Sequence, residues 1–357
     1  MRRNAEAYDI DTAIDALTQA VLGQPVTLTR LDLAKRTGVS PEDQARRWRM
    51  LGYPETASDV IAFTSSDIGS LLATQRLVDL EIVEEASEEA FIRTLGRTFS
   101  RLAEWQVRVL LHSLLESETG PPTEKDLRRL GEMLQLGAEI QENVWRHHLL
   151  GAATRLMVQH GAAPDSEPAC VGFVDIVGFT SRSRSLTGAE LGALVDRFES
   201  VVSDLIADHA GRVVKTIGDE VVFVVDDPVE AAWLAVELAE QHTQDATFPN
   251  VRVGMAYGEI LNRLGDVLGP VVNMASRLTQ VALPGRSVID STMAEHVAGT
   301  PGLRLRKLRR MNVKGFDSVE PWLLKPAHEH HRGGLRGAFE NILEDAADGI
   351  AMRLPQL

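Results

Sequence analysis

The chain has 357 residues, 44% hydrophobic and 25% charged, with a formal net charge of −14. That length suits two domains with separate cores, and the acidic balance argues against a general binder of nucleic acid or anionic membrane. No apolar run reaches the roughly 20 residues that span a bilayer, so no transmembrane segment is expected. The start, Met1-Arg2-Arg3-Asn4, leads into a polar, acidic stretch rather than a signal peptide. A single cysteine, Cys170, excludes an internal disulfide framework. At the start of an apolar strand it reads as an inert buried thiol in a reducing, cytoplasmic compartment.

Up to about residue 160 the pattern is helical. Ala13–Leu22 carries apolar residues at helical spacing, and Leu28–Gly38 followed by Ser40-Pro41-Glu42-Asp43 reads as helix, turn and capped helix. Glu88–Leu115 is amphipathic, with Phe91, Leu95, Phe99, Leu102, Trp105 and Val109 three or four residues apart; Gly120-Pro121-Pro122 breaks it, and Glu124–His160 resumes the pattern. Residues 161–168, Gly-Ala-Ala-Pro-Asp-Ser-Glu-Pro, form the expected linker. Beyond it the texture alternates. Strands are expected at Ala169–Val177, Arg212–Ile217, Val221–Val225, Val251–Tyr257, Ser287–Asp290, Leu303–Leu308 and Pro321–Leu324, and helices at Gly188–His209, Pro228–Thr243 and Pro270–Ala282. This predicts a mixed sheet with helices over it, followed by a polar tail from about residue 327.

Two places carry chemistry. Asp175 ends the β-branched run Phe173-Val174-Asp175-Ile176-Val177-Gly178, and Asp219 follows the strand Lys215-Thr216-Ile217-Gly218. A carboxylate at the end of a buried strand is costly unless compensated, and a metal ion is the usual compensator. Two of them, with backbone N–H groups in a Gly-containing turn, match the needs of a Mg²⁺–triphosphate complex. Taken singly, Asp175 could cap a turn, Asp219-Glu220 could be a hairpin charge pair, and Lys215, Asn273 and Arg277 could be ordinary surface residues. Their joint occurrence favours a site.

Residues 169–326 resemble the catalytic domain of the class III nucleotidyl cyclases. The motifs that carry the likeness are Phe173-Val174-Asp175-Ile176-Val177-Gly178-Phe179-Thr180, Lys215 with Gly218-Asp219, Gly265-Asp266, and Asn273-Met274-Ala275-Ser276-Arg277. The resemblance implies an α+β fold: a ferredoxin-like βαββαβ catalytic domain over 169–326, preceded by an all-α regulatory domain over 1–160, with the linker at 161–168 and a tail at 327–357. It implies that Asp175, the Ile176 carbonyl and Asp219 hold two ions, Mg²⁺ or Mn²⁺. Lys215 and Asp266 read the purine, and Asn273 and Arg277 orient the ribose and stabilise the transition state. Lys314, in Asn312-Val313-Lys314-Gly315, contacts phosphate, and Phe179 packs beside the phosphate turn as part of the substrate site. It further implies a homodimer whose two sites each draw on both chains.

Lysine donating to ring N1 and aspartate accepting from the 6-amino group suit adenine, so ATP is the expected substrate and cyclic AMP the product. A GTP-using or diguanylate cyclase, and a catalytically silent nucleotide- or DNA-binding regulator, are the rival readings. The amino-terminal half resembles the autoregulatory domain of mycobacterial pH-responsive adenylate cyclases. In those enzymes the joining segment switches structure, and here that segment holds Trp145, His147, His148 and His160, so a proton is a candidate effector and a lipid another. Arg30, Lys35, Arg36, Arg46, Arg47 and Arg49 give Leu28–Gly52 a helix-turn-helix flavour, read here as a solvated face, with no nucleic acid expected.

Overall fold

The computed structural model describes residues 10–80, 85–115, 124–158, 166–313 and 315–327. The chain forms two compact units, Met1–Val158 and Gln159–Leu357.

In the first unit every described element is a helix: α1 (Ile10–Leu22), α2 (Arg30–Thr37), α3 (Pro41–Met50), α4 (Ser65–Asp79), α5 (Glu85–Leu115) and α6 (Glu124–Val158). Local chemistry sets their ends. Thr29 and Asp32 form a reciprocal capping box at α2, Gly38 closes it in the left-handed region (φ 75°), and Ser40 caps α3 ahead of Pro41. Helix α4 goes beyond the sequence expectation. Its start is marked by a second capping box, Thr64 with Asp67, but it buries no residue, so its apolar periodicity is weak. Leu28, Leu33 and Phe63 form the small core, flanked by Trp48, Ala62, Ile68 and Leu71.

The basic residues of the helix-turn-helix-like segment are largely engaged inside this unit. Arg30 is buried with its guanidinium 5.2 Å from the centre of the Phe63 ring. Arg47 is buried against Glu88 at 2.8 Å, Arg46 pairs with Glu89 and Arg49 with Glu55, both at 3.1 Å. Arg30 and Arg47, being buried, are poor phosphate contacts, which weakens the DNA-binding alternative.

The second unit is built on one sheet. Its elements are β1 (Ser166–Ile176), α7 (Phe179–Arg182), α8 (Gly188–Asp208), β2 (Arg212–Ile217), β3 (Glu220–Val225), α9 (Pro228–Gln244), β4 (Val251–Arg263), β5 (Asp266–Leu268), α10 (Pro270–Val281), β6 (Ser287–Ile289), α11 (Ser291–Val297), β7 (Leu303–Lys307), β8 (Met311–Val313), β9 (Phe316–Val319) and β10 (Trp322–Pro326). The strand order is β2-β3-β1-β4-β6-β10-β7, with β5 folded back on β4 and β8-β9 a separate hairpin. β1, α8, β2, β3, α9 and β4 form the expected βαββαβ core, each neighbouring pair antiparallel, while β6 joins β4 in parallel.

Two strands run further than their sequence pattern suggests. β4 continues past Tyr257 to Arg263, and it offers partners that extend β1 back to Ser166, so residues 166–168 lie in the sheet rather than in a linker. Pro168 is tolerated there because β3 pairing begins only at Cys170, leaving one side of the strand without a ladder partner.

Alternation along the strands divides the core into two layers. Val174 and Ile176 of β1, Val221 and Phe223 of β3, and Val253 and Met255 of β4 face one layer, packed with Phe198, Val202 and Ile206 of α8 and Leu234 and Leu238 of α9. Val171 and Phe173, Val222 and Val224, and Ala256 face the other, packed with Ala275 and Leu278 of α10. Cys170 lies fully buried in the first layer, and burial pushes its thiol far above the ordinary range, fitting the inert role expected for it.

Candidate active site

The same alternation places three charged side chains in one row on the α10 side of the sheet. Asp175 of β1 stands opposite Glu220 of β3 and, on its other flank, opposite Arg252 of β4. Arg252 donates to Asp175 Oδ2 from Nε at 2.7 Å, and its Nη2 lies 2.7 Å from the same oxygen in an ion pair. Asp219 occupies the two-residue turn between β2 and β3, entered through Gly218 at φ 66°, a conformation that strains any side chain with a Cβ. The Ile176 N–H donates to the Asp219 carbonyl at 3.1 Å, which ties this turn to the end of β1. Asp175 and Asp219, 44 positions apart in sequence, are therefore neighbours, as anticipated. The Ile176 side chain is committed to the core, leaving only its backbone available to a ligand.

The electrostatics of this row favour an added cation. Burial pushes the Asp175 carboxyl above the usual carboxylate range, Arg252 works in the opposite direction, and Asp219 adds to the rise. Glu220 is pushed up to about 7 by burial and then by the charges of Asp175 and Asp219. Three half-buried carboxylates thus share one guanidinium, and hard oxygen donors of this kind suit Mg²⁺ or Mn²⁺. Among the described residues no group of three or more Asp, Glu, His or Cys side chains is arranged as a metal cage. A donor set of two aspartates and a carbonyl would leave coordination positions for substrate oxygens.

The two purine-reading candidates meet each other. Lys215 Nζ contacts both carboxylate oxygens of Asp266, at 2.8 and 2.6 Å. Burial opposes ionisation of Asp266, but Lys215 and the Val267 N–H outweigh it and hold the carboxyl below its ordinary range. The contact forms because β5 folds back on β4 through Leu264-Gly265, both at positive φ (54° and 81°), and buries Val267 in the α10-side layer. Leucine in that conformation costs backbone strain, concentrated beside the lysine–aspartate pair.

Helix α10 carries the remaining candidates. Its buried face, Ala275, Leu278 and Thr279, lies directly on β4 at Gly254, where a Cβ would come within 2.1 Å of the Thr279 nitrogen. Asn273 and Arg277, one helical turn apart, lie away from that face; Asn273 is exposed and Arg277 half-buried, donating to Gln280 Oε1 at 3.0 Å. The single chain thus brings together Asp175 with Asp219, and Lys215 with Asp266, while Asn273 and Arg277 stand on a third element. Phe179 is half-buried against the α8–α9 core layer. Lys314 lies outside the described residues, although the hairpin strands on either side of it, β8 and β9, are formed. Arg252 is the member of this row that the motifs passed over, and Glu220 was read there only as part of a hairpin charge pair. A lone arginine inside the apolar run Val251–Tyr257 was the available signal, since a buried charge demands a partner.

Comparison with known proteins identifies the family. Residues 162–326 match the family described as the adenylate and guanylate cyclase catalytic domain. An adenylate cyclase of Streptomyces coelicolor is 35% identical, the alignment covering 85% of this chain and 87% of that protein. One from Streptomyces griseus is 38% identical over 79% of this chain and 71% of its own length. A pH-sensitive adenylate cyclase of Mycobacterium tuberculosis is 28% identical over 76% and 70%. Among the described residues no helix is long and apolar enough to cross a membrane. With its βαββαβ core, its strand-end aspartates and relatives aligned along most of its length, the chain belongs to the class III adenylate cyclase family.

Proposed function

We propose that the protein converts ATP to 3′,5′-cyclic AMP and pyrophosphate in a homodimer, each site taking its metal ligands from one protomer and its base-reading residues from the other. The observation that carries the choice of ATP is the Lys215–Asp266 pair, a donor beside an acceptor. The adenine edge offers the complementary acceptor and donor, whereas guanine offers the reverse. The ribose 3′ oxygen attacks the α-phosphorus, the bond to the leaving pyrophosphate breaks, and the hydroxyl proton is released. Asp175, the Ile176 carbonyl and Asp219 would hold two divalent ions, which when bound promote ionisation of the hydroxyl and offset triphosphate charge. Asn273 orients the ribose, while Arg277 supplies positive charge where negative charge accumulates on phosphorus oxygens. Arg252, seated on Asp175, favours the ionised form of that carboxylate and aligns it. The GTP-using and silent-regulator readings are less well supported, because a complete metal and transition-state set accompanies an adenine-matched pair. Production of cyclic AMP from Mn-ATP by the full chain tests the proposal; catalytic silence, or a preference for GTP, would refute it.

Base selection gives a second expectation. Lys215→Glu with Asp266→Cys removes the donor and acceptor matched to adenine, so the ATP-to-GTP ratio of kcat/KM should fall by about two powers of ten or more. An unchanged ratio at unchanged ATP turnover would mean that these residues do not read the base.

Regulation is proposed to lie in the helical unit, with the pH-sensitive mycobacterial relative as support. His147 and His148 are exposed on α6, and His160 lies outside the described residues. A pKa difference of one unit between two linker arrangements supplies about 1.4 kcal/mol, roughly tenfold in population. The full chain should be less active than residues 164–357 alone at neutral pH, and should gain more on acidification. Superimposable pH–activity curves would remove the proton as effector and leave a lipid or other ligand.

A further inference from the structure

The row on the α10 side of the sheet contains one carboxylate to which neither the family motifs nor the proposed chemistry gives a task. Glu220 follows Asp219 directly, opens β3, and faces Asp175 across the antiparallel ladder. Along β3 it alternates in step with Val222 and Val224, which face the α10 layer, so it shares a face with Asp175 and Arg252. Opposed side chains in such a pair stand about 5 Å apart at their Cβ atoms. Arg252 is engaged with Asp175 at 2.7 Å, so with Asp219 at the adjoining turn three carboxylates face one guanidinium. A like-charged carboxylate set beside a metal-binding aspartate is unfavourable for the protein alone, and an incoming divalent cation reverses the sign of that interaction.

We propose that Glu220 is a positioning residue that strengthens divalent-ion binding at the Asp175–Asp219 site from outside the coordination sphere. The inference rests on the metal-site reading above and extends it. The role assigned to Glu220 is that of a neighbouring charge, because it stands across the ladder from Asp175 rather than in the turn that carries Asp219. It acts through space: a unit charge about 6 Å from a divalent ion, even at the dielectric constant of water, alters its affinity by about tenfold. The base-reading pair and α10 are untouched by this role, so its loss should leave the choice between ATP and GTP unchanged.

The test is direct Mn²⁺ binding to the full-length protein, followed by loss of the free-ion paramagnetic signal at pH 8. Wild type is compared with Glu220→Gln, Glu220→Asp and Asp175→Asn. Glu220→Gln should weaken Mn²⁺ binding by about tenfold with the melting temperature essentially kept, and Glu220→Asp should recover most of the loss. A merely structural role would lower the melting temperature without an aspartate-specific recovery. If Asp175→Asn weakens binding and Glu220→Gln does not, the role of Glu220 is overturned while the metal site stands. If neither variant changes Mn²⁺ binding, the metal site itself is wrong and this inference falls with it.

Discussion

Replacing either Asp175 or Asp219 with alanine is expected to reduce cyclic AMP formation by more than about 100-fold, since loss of even an outer-sphere partner at a metal site costs about 10–100-fold. The two variants should differ in stability although they share this loss. Asp175 is 13% exposed at its side chain and is bound by Arg252, which is 28% exposed, so Asp175→Ala takes the direct partner from a half-buried guanidinium. That should cost about 1–3 kcal/mol, visible as a lower melting temperature. Asp219 sits in a tight turn anchored through its backbone carbonyl to Ile176, a bond that alanine preserves. Asp219→Ala should therefore melt close to wild type, and it is the cleaner test. Near wild-type turnover in Asp219→Ala, with an unaltered circular dichroism spectrum, would exclude the assigned metal role.

Arg277→Ala should lower kcat by about 10²–10³-fold with little change in KM, the loss typical of removing one group that stabilises charge only in the transition state. The fold gives no reason for instability. Arg277 lies away from the face of α10 that packs on Gly254, and its guanidinium donates to Gln280 of the same helix. Arg277→Lys should recover little, because an ammonium cannot reproduce the planar fork of donors. Asn273→Ala, one turn earlier, should show a smaller loss of the same kind. A variant with kcat intact and KM raised would instead mean that Arg277 binds ground-state triphosphate.

The legible parts of this chain were those where local pattern and chemistry coincide. The apolar run ending in Asp175 located β1 and its carboxylate, since a charge at the end of a buried strand needs a reason, while Asp219 was readable from its place after Gly218 between two strand patterns. The Asn273–Arg277 helix was readable from its Pro270 start and its i,i+4 pair. What escaped depends on tertiary context. Helix α4 buries nothing, so its sequence shows no stripe and only its Thr64–Asp67 box announces it. The continuation of β4 through polar Glu259, Asn262 and Arg263 is supported by pairing with β1 and β5 rather than by propensity. Glu220 and Arg252 acquire meaning only through a register that sets them on either side of Asp175.

Assembly of one catalytic site from two copies of this chain is tested most directly by mixing two inactive variants. On the proposed assignment, Asp175→Ala would lack a metal ligand and Lys215→Ala a base reader. If these residues meet only across protomers, a mixed dimer has one doubly damaged site and one free of lesions. Random exchange at equal concentrations makes about half the dimers mixed, so about a quarter of wild-type activity should return. Exchange is verified independently by energy transfer between separately labelled samples. Recovery near that level is the predicted result; exchange without any return of cyclic AMP formation would contradict the shared site.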